Sequence, residues 1–263
     1  MSDFLRPLGD TGITVSALGL GTVKLGRDQG VKYPHGFTIP DDAATRALLD
    51  EARDLGINLI DTAPAYGTSE ARLGQLLSQR QDWVIVSKVG EEFDNGQSHF
   101  DFSPEHVRAS VERSLTRLRT DYIDVVLVHS DGNDLAIIEQ AGTLEMLAEL
   151  KRKGLIRATG MSTKTVEGGL ATLARADIAM VTYQLGYDEE LPVIEHAAAH
   201  NKGILIKKAF ASGHLSHAIT DPVQASLNHI LGTPGVSSII AGTINPVHLR
   251  ENVAKARIAL GAH

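Results

Sequence analysis

Cysteine is absent from this sequence of 263 residues, which excludes a disulfide framework and fits a reducing compartment. No stretch approaches the roughly 20 consecutive apolar residues that a membrane-spanning helix needs. The first residues lack the basic segment and the apolar run that together mark a signal peptide. We therefore expect a cytoplasmic protein with no membrane partner.

Positive charge is also scarce in this chain. It has 25 Lys and Arg residues against 32 Asp and Glu residues, a formal net charge of −7. The densest basic segment, residues 151–153, has the pattern of one exposed helix end. A nucleic-acid partner is therefore not expected.

Two glycine motifs that bind phosphate groups are missing. In a dinucleotide-binding open sheet, Gly-x-Gly-x-x-Gly follows the first strand, but the segment beginning Gly19-Leu20-Gly21 lacks the third glycine. The P-loop motif G-x-x-x-x-G-K-[ST] is not found either. These absences count against a doubly wound open sheet, the main competing fold.

What the sequence does have is an alternation of short apolar runs with longer amphipathic stretches, repeated eight times. Continuous apolar runs separated by helices are typical of parallel strands buried on both faces. The predicted strands are residues 15–21, 57–61, 83–88, 122–129, 156–161, 178–184, 203–207 and 236–241. Two predicted helices begin at residues 69 and 103. The other predicted helices cover residues 42–55, 135–152, 164–175, 191–200, 221–231 and 246–260.

Eight strand–helix units predict an α/β protein of the (β/α)8 TIM barrel class, whose members have about 250 residues. No linker separates the units, so we expect a single domain over residues 1–263. Residues 5–15 precede the first barrel strand and contain a Gly-Asp-Thr-Gly turn at residues 9–12. They predict an N-terminal β-hairpin plug over the bottom of the barrel.

Polar residues follow or end several predicted strands, where the active site of such a barrel lies. Asp61 ends the second strand, Lys88 the third and His129 the fourth. Tyr66 lies in the loop after the second strand. Since adjacent strands lie about 5 Å apart, these four side chains can converge on one small volume. The next three strands lead to Ser162, Gln184 and the pair Lys207 and Lys208.

These four side chains are suited to acid catalysis on a carbonyl group. A free Tyr has a pKa near ~10, and an ammonium such as that of Lys88 lowers the pKa by favouring phenolate. Asp61 would keep Lys88 protonated and in position. Tyr66 then becomes a general acid, and His129 donates a hydrogen bond that orients the carbonyl. Hydride must come from a cofactor, because no side chain supplies it.

Each of the four residues also has an ordinary structural explanation when it is taken alone. A strand-end Asp is often a helix cap, and a strand-end Lys often pairs with a carboxylate on the rim. A Tyr in such a loop or a His after an apolar strand is often a packing residue. Only the convergence of all four favours a catalytic role.

Four segments, in this order, resemble the motifs of the aldo-keto reductase family, in particular its bacterial-type members. They are NLIDTAPAYG at residues 58–67, IVSK at residues 85–88, SLTRLRTDYID and the run to His129 at residues 114–129, and GTINPVHLREN at residues 242–252. Their order and spacing hold from about residue 8 to residue 252.

The resemblance implies reduction of a small-molecule carbonyl substrate. The implied roles are proton donor for Tyr66, lowering of its pKa by Lys88, support of Lys88 by Asp61, and orientation of the carbonyl by His129. The implied cofactor is NADP(H), with NAD(H) as the alternative, bound across the barrel mouth. Its implied contacts are Gly21, Thr22, Val23, Asp61, Ser162, Thr163, Gln184, Lys207, Lys208, Ala209, Gly213, Leu215, Gly242, Thr243, Ile244, His248, Glu251 and Asn252.

Three departures from the family pattern concern the cofactor. Thr163 replaces an Asn beside the carboxamide but still donates and accepts a hydrogen bond. Lys207 replaces a Tyr that stacks on the nicotinamide, and its stem could cover the ring while its ammonium reaches phosphate or solvent. Gly242, Thr243 and His248 replace the Lys, Ser and Arg that hold the 2′-phosphate. Because His is fully charged only below a pKa of ~6.5, this hold should be weaker and pH-dependent.

Two other functions stay open. An NADP(H)-binding regulatory or redox-sensing subunit of the same fold would retain the four residues with little turnover. An aldolase would use Lys88 as a Schiff-base nucleophile, which requires a Lys of depressed pKa. No metal is expected: His196 and His200 have a metal-ligand spacing, but no acidic or histidine-rich segment is placed to complete a site.

Overall fold

The architecture is given by a computed structural model, which describes residues 4–31, 36–210 and 220–261. Its strands are β1 (Leu5–Pro7), β2 (Thr14–Ser16), β3 (Leu18–Gly21), β4 (Leu59–Asp61), β5 (Val84–Val89), β6 (Glu91–Asp94), β7 (Gln97–Phe100), β8 (Ile123–His129), β9 (Ile156–Ser162), β10 (Ile178–Thr182), β11 (Gly203–Lys207) and β12 (Ser238–Ala241). Eight of them, β3 to β5 and β8 to β12, close a parallel barrel in chain order. The (β/α)8 barrel is therefore confirmed.

Helices on the outside connect successive barrel strands. They are α1 (Val23–Gly26), α2 (Asp42–Asp54), α3 (Ser69–Leu76), α4 (Pro104–Leu118), α5 (Asp134–Gln140), α6 (Thr143–Arg152), α7 (Val166–Arg175), α8 (Leu191–Ala199), α9 (Pro222–Leu231) and α10 (Pro246–Ala259). Several begin with a side-chain cap; Ser103, for example, accepts a hydrogen bond from the backbone N–H of His106 at the start of α4. Within the described ranges, no helix is long and apolar enough to cross a bilayer.

The interior of the barrel follows from the two-residue period of its strands. Alternate residues face inward and form an apolar cluster that includes Leu59, Val86, Leu127, Met180 and Leu205. The intervening residues face the helices and form a second, larger apolar cluster. At the carboxyl ends of the strands, the inward-facing positions are occupied by polar residues: Asp61, Lys88, His129, Ser162 and Lys207.

The hairpin of β1 and β2 closes the opposite, amino-terminal end of the barrel. Leu8, Ile13 and Val15 are fully buried and belong to the apolar cluster inside the barrel. Leu8 lies so close to Gly203, the first residue of β11, that a Cβ there would come within 2.9 Å of the Leu8 side chain. The predicted N-terminal plug is therefore present.

Three predicted element boundaries are wrong. Residues 15–21 do not form one strand, because the chain turns at Ala17, where the Ser16 hydroxyl donates to the Leu18 carbonyl over 2.8 Å. Residues 135–152 form two helices, since Gly142, at φ +73°, is left-handed and breaks the helix. The sixth barrel strand ends at Thr182, and Gln184 instead makes an isolated bridge with Tyr187.

A second hairpin, formed by β6 and β7, was not predicted. It leaves the top of the barrel directly after β5, and its turn is made by Asn95 and Gly96, both with positive φ. An Asn-Gly pair is the characteristic sequence of a tight hairpin turn. The signal was therefore present in the sequence, although β6 is largely half-buried and β7 is exposed.

A buried carboxylate on the outer face of the barrel connects three of its strands. Asp124 in β8 accepts a hydrogen bond from the backbone N–H of Ile85 in β5 at 3.0 Å. Its two oxygens also accept hydrogen bonds from Arg80 at 2.8 Å and from Arg157 in β9 at 2.7 Å. The side chain of Asp124 is 1% exposed, and these partners replace the hydration that its carboxylate loses on burial.

Candidate active site

Asp61 and Lys88 form a buried ion pair at the top of the barrel. Asp61 is the last residue of β4, and Lys88 lies in the neighbouring strand β5. The ammonium of Lys88 is 2.6 Å from Oδ1 of Asp61 and donates a second hydrogen bond, of 2.8 Å, to the carbonyl of Thr62. The side chains are 5% and 2% exposed, so each compensates for the desolvation of the other.

Tyr66 lies beside this pair on a short 3-10 turn, Pro64–Tyr66. Its hydroxyl is 3.5 Å from Oδ2 of Asp61, and the Lys88 ammonium is 4.7 Å from the centre of the Tyr66 ring. The turn packs backbone to backbone on α1, because a Cβ on Gly26 would lie 2.3 Å from the Tyr66 carbonyl oxygen. Gly67, at φ +61°, lies equally close to the backbone of Gly26, so neither position has room for a Cβ.

His129 ends β8 and completes the group of four side chains. Its ring stands nearly perpendicular to that of Tyr66, with 6.3 Å between the ring centres. Nδ1 of His129 lies 2.7 Å from Oε2 of Glu91, the first residue of β6. Burial lowers the pKa of His129 below its usual value, and the Glu91 carboxylate partly opposes this shift.

The four side chains lie at one part of a cleft of about 760 Å³ that crosses the barrel mouth. The cleft is also lined by hydrophobic residues that sequence reasoning did not select, among them Met180, Phe210 and Val223. Gly36 and Phe37, in the segment between α1 and α2, also line the cleft. The predicted cofactor contacts that line it are Gly21, Thr22, Val23, Asp61, Ser162, Lys207, Lys208, Ala209, Gly242, Thr243, His248, Glu251 and Asn252.

The remaining predicted contacts are placed differently. Gln184 lines an adjoining pocket together with Ser162 and Lys207. Thr163 is fully buried and is not among the residues that line the cleft or this pocket. Ile244 is not among the residues that line the cleft and packs instead against the apolar layer between barrel and helices. Gly213 and Leu215 lie outside the described residues.

Two buried polar atoms near Ser162 fit the amide group of a nicotinamide. Oγ1 of Thr163 and Oε1 of Gln184 are buried and have no hydrogen-bond partner within the described part of the chain. Buried polar atoms normally have a partner, and the NH₂ and carbonyl groups of an amide have the donor and acceptor that a Gln oxygen and a Thr hydroxyl can use. The residues present are thus compatible with a nicotinamide cofactor.

The Lys207 ammonium is already engaged within the protein, contrary to the expectation that it would extend towards phosphate or solvent. It donates a hydrogen bond of 2.9 Å to the Ser162 hydroxyl and another to the Thr163 carbonyl. The contacts hold the side chain against the end of β9. Burial lowers the pKa of Lys207 to about 8, although Glu190 pulls it in the opposite direction.

At the far end of the cleft, His248 lines the surface where the resemblance places the 2′-phosphate. The neighbouring cation, Arg250, instead contacts Glu51 of α2, with 2.9 Å between Nη1 and Oε1. On the outside of the barrel, His196 and His200 stack on each other with 4.0 Å between ring centres.

Comparison with known proteins places the chain in a family. Residues 17–225 match the sequence profile of the Aldo/keto reductase family. A crystal structure from Pseudomonas aeruginosa, of a candidate aldo-keto reductase, is 64% identical with a TM-score of 0.90, and the alignment covers 98% of this chain and 96% of that one.

Two further relatives are more distant. Aldo-keto reductase AKR11C1 of Bacillus halodurans, in its holo form, is 27% identical with a TM-score of 0.79, over 98% of this chain and 95% of that one. The NADH-specific methylglyoxal reductase of Escherichia coli is 37% identical over 59% of this chain and half of its own length. The chain belongs to the aldo/keto reductase family of oxidoreductases.

Proposed function

We propose that this protein reduces aldehyde or ketone carbonyls to alcohols, with NADPH as hydride donor and Tyr66 as general acid. The observation that carries the proposal is the position of the Lys88 ammonium, 2.6 Å from Asp61 and 4.7 Å from the centre of the Tyr66 ring. This places a fixed positive charge beside a phenol at the mouth of a barrel, where enzymes of this architecture have their active sites.

The roles of the side chains follow from charge. The Lys88 ammonium favours the phenolate of Tyr66, so the hydroxyl releases its proton more readily to an oxygen that gains negative charge. Asp61 keeps the Lys88 ammonium charged and in place, because an unpaired buried ammonium tends to lose its proton. His129 holds the same oxygen by a hydrogen bond.

The cofactor would lie along the cleft, with its amide group between Ser162, Thr163 and Gln184. Bound there, it supplies the hydride that no side chain can provide. Gly21, Thr22 and Val23 would line its path at the end of β3, and His248, Glu251 and Asn252 would surround the adenosine end.

Family resemblance favours NADP(H) as the cofactor, with NAD(H) also accepted. The presence of His248 reduces the expected preference for NADP(H), because a His attracts the 2′-phosphate only when it is protonated. The relative named as NADH-specific makes the comparison of both cofactors necessary.

The test is a turnover assay with NADPH and a panel of aldehydes that includes nitrobenzaldehyde and methylglyoxal. We expect loss of cofactor absorbance with the wild-type protein and a loss of roughly 10²–10⁴-fold in kcat with Tyr66→Phe, the usual contribution of a general acid. Tyr122→Phe is the matched control, since Tyr122 lies at the start of β8 beside Arg80 and away from the cleft.

Two results would contradict the proposal. Tight NADPH binding without turnover of any aldehyde would indicate a regulatory subunit. Borohydride trapping of a substrate on Lys88 would indicate a Schiff-base aldolase, for which a lysine paired with Asp61 at 2.6 Å is poorly suited.

A further inference from the structure

We propose that Glu91 is a positioning residue of this active site, whose carboxylate opposes the loss of the proton from His129 and thereby sets the pH range of carbonyl reduction. The inference rests on the proposed function, because it assigns His129 to the carbonyl oxygen. It concerns a side chain outside the barrel strands, on the hairpin of β6 and β7, which no sequence motif selects.

The two carboxylate oxygens of Glu91 have different partners: one contacts His129 and the other contacts a residue of the same hairpin. Oε2 lies 2.7 Å from Nδ1 of His129, while Oε1 accepts a hydrogen bond of 2.6 Å from the hydroxyl of Ser98 in β7. At this distance the carboxylate and the ring interact through hydrogen bonding and through charge, and both interactions favour the protonated ring.

Arg27 connects this carboxylate to the Tyr66 turn. Its guanidinium lies 3.3 Å from the centre of the Phe93 ring in β6 and 4.0 Å from Oε1 of Glu91. The same guanidinium donates a hydrogen bond of 3.0 Å to the carbonyl of Ala65, the residue before Tyr66. Glu91 is thus held at a fixed position relative to both His129 and Tyr66.

The groups around His129 have opposing effects on the protonation of its ring. Burial disfavours a cationic ring most strongly, and the nearby charges of Lys88 and Lys207 disfavour it further. Glu91 acts in the opposite direction. Burial alone would raise the pKa of Glu91, but its contacts with His129, Ser98 and Arg27 outweigh burial and lower that pKa to about 2. The carboxylate is therefore ionised throughout the working range of pH.

The charge on His129 determines what the ring can do for a carbonyl. With Nδ1 facing Glu91, Nε2 is the nitrogen left for substrate, and it donates a hydrogen bond only when it carries a proton. The imidazolium has a proton on both nitrogens and stabilises negative charge developing on the oxygen. Tyr66 still supplies the proton that the alcohol gains, so His129 ends the reaction as it began.

The experiment compares the pH profiles of kcat/KM for carbonyl reduction in the wild type and in Glu91→Gln, which preserves side-chain shape and removes the charge. We expect the decline on the alkaline side to move to lower pH by about one unit, a tenfold loss in the falling region. The low-pH plateau and the dissociation constant for NADPH should change less than twofold.

Glu92→Gln is the matched control. Glu92 is the next residue of β6, and its carboxylate contacts Arg113 and His106 of α4 rather than His129. This variant should reproduce the wild-type profile. If Glu91→Gln has an unchanged profile, or an equal loss at every pH, the proposed role of the Glu91 charge is wrong.

A second readout does not depend on turnover. In ¹⁵N-histidine-labelled protein, the ring resonances of His129, assigned by difference against His129→Asn, should titrate at lower pH in Glu91→Gln than in the wild type. Ser98→Ala, which removes one hydrogen-bond donor to Glu91 and leaves the charge, should fold even where Glu91→Gln does not and shift the titration less. An unshifted titration in both variants overturns the inference. A shifted titration in a protein without turnover contradicts only the proposed function.

Discussion

The ammonium of Lys88 lies 2.6 Å from Oδ1 of Asp61, and both side chains are almost completely buried. Neither charge has water to replace its partner, so the two residues depend on each other. The pair therefore has two separable consequences, one for the stability of the protein and one for the ionisation of the neighbouring Tyr66.

We predict that Lys88→Met will destabilise the protein by roughly 3–5 kcal/mol, because it leaves Asp61 as an unpaired buried carboxylate. Turnover should fall by roughly 10²–10⁴-fold, the range associated with loss of an effective general acid. Urea unfolding and steady-state kinetics measure the two effects. The double variant Asp61→Asn with Lys88→Met should recover most of the stability and none of the activity; recovery of both would show that the charge pair has no chemical role.

The buried ammonium of Lys207 should make stability depend on pH. The folded protein releases this proton near pH 8, whereas the unfolded chain retains it to about pH 10.5. Between these values the unfolded state binds more protons, so the free energy of unfolding increases with pH. Below pH 8 the folded protein carries the full cost of the buried charge.

We therefore expect Lys207→Met to melt at a higher temperature than the wild type at pH 7, with the difference shrinking between pH 8 and pH 10.5. Differential scanning calorimetry across this range is the measurement. Lys153→Met, which changes an exposed lysine directly after α6, serves as the control. A difference that stays constant over the whole range would show that the Lys207 charge is not responsible.

Cofactor choice should respond to the charge at residue 248. An Arg carries a permanent positive charge and binds phosphate in a bidentate manner, which a His does not. We predict that His248→Arg will raise the ratio of kcat/KM for NADPH over NADH by about tenfold, equivalent to ~1.4 kcal/mol. His200→Arg makes the same change at an exposed position outside the cleft. Equal ratios in all three proteins would mean that the 2′-phosphate does not reach residue 248.

Asp124 should matter for stability and not for chemistry. Asp124→Ala removes a shared acceptor of Arg80, Arg157 and the Ile85 N–H, and we expect a loss of roughly 3–5 kcal/mol in the free energy of unfolding. At a temperature where the variant stays folded, its kcat should match that of the wild type. The exposed residue Asp121 provides the control Asp121→Ala, which should leave unfolding unchanged. A large fall in kcat would mean that the loss of the Asp124 carboxylate disturbs the side chains at the mouth of the barrel.

The barrel was predictable because its strands are buried on both faces and appear as continuous apolar runs. The same two-residue period that fills the interior brings Asp61, Lys88 and His129 to one end, so the sequence was enough to group them. The hairpin of β6 and β7 was missed because neither strand is fully buried and neither carries an apolar run. The helix break at Gly142 was missed because it lies inside an otherwise helical pattern. A single glycine there does not by itself predict a left-handed conformation.

Contacts between distant segments could not be predicted in the same way. Glu91 and His129 are joined only through the path of an unpredicted hairpin, and Lys207 was expected to reach outward because nothing in the sequence pairs it with Ser162. Such contacts depend on side-chain directions at the rim, where the regular alternation of the strands has already ended.

The hairpin that carries Glu91 lies outside the barrel wall, and it contributes nothing to the apolar interior. A change at Glu91, Phe93 or Ser98 can therefore alter the electrostatics of the active site while the barrel and its core remain as they are. In this protein the setting of the pH response is physically separate from the scaffold that holds the reacting groups, which makes the hairpin the natural segment to exchange when a reductase is adapted to a different acidity.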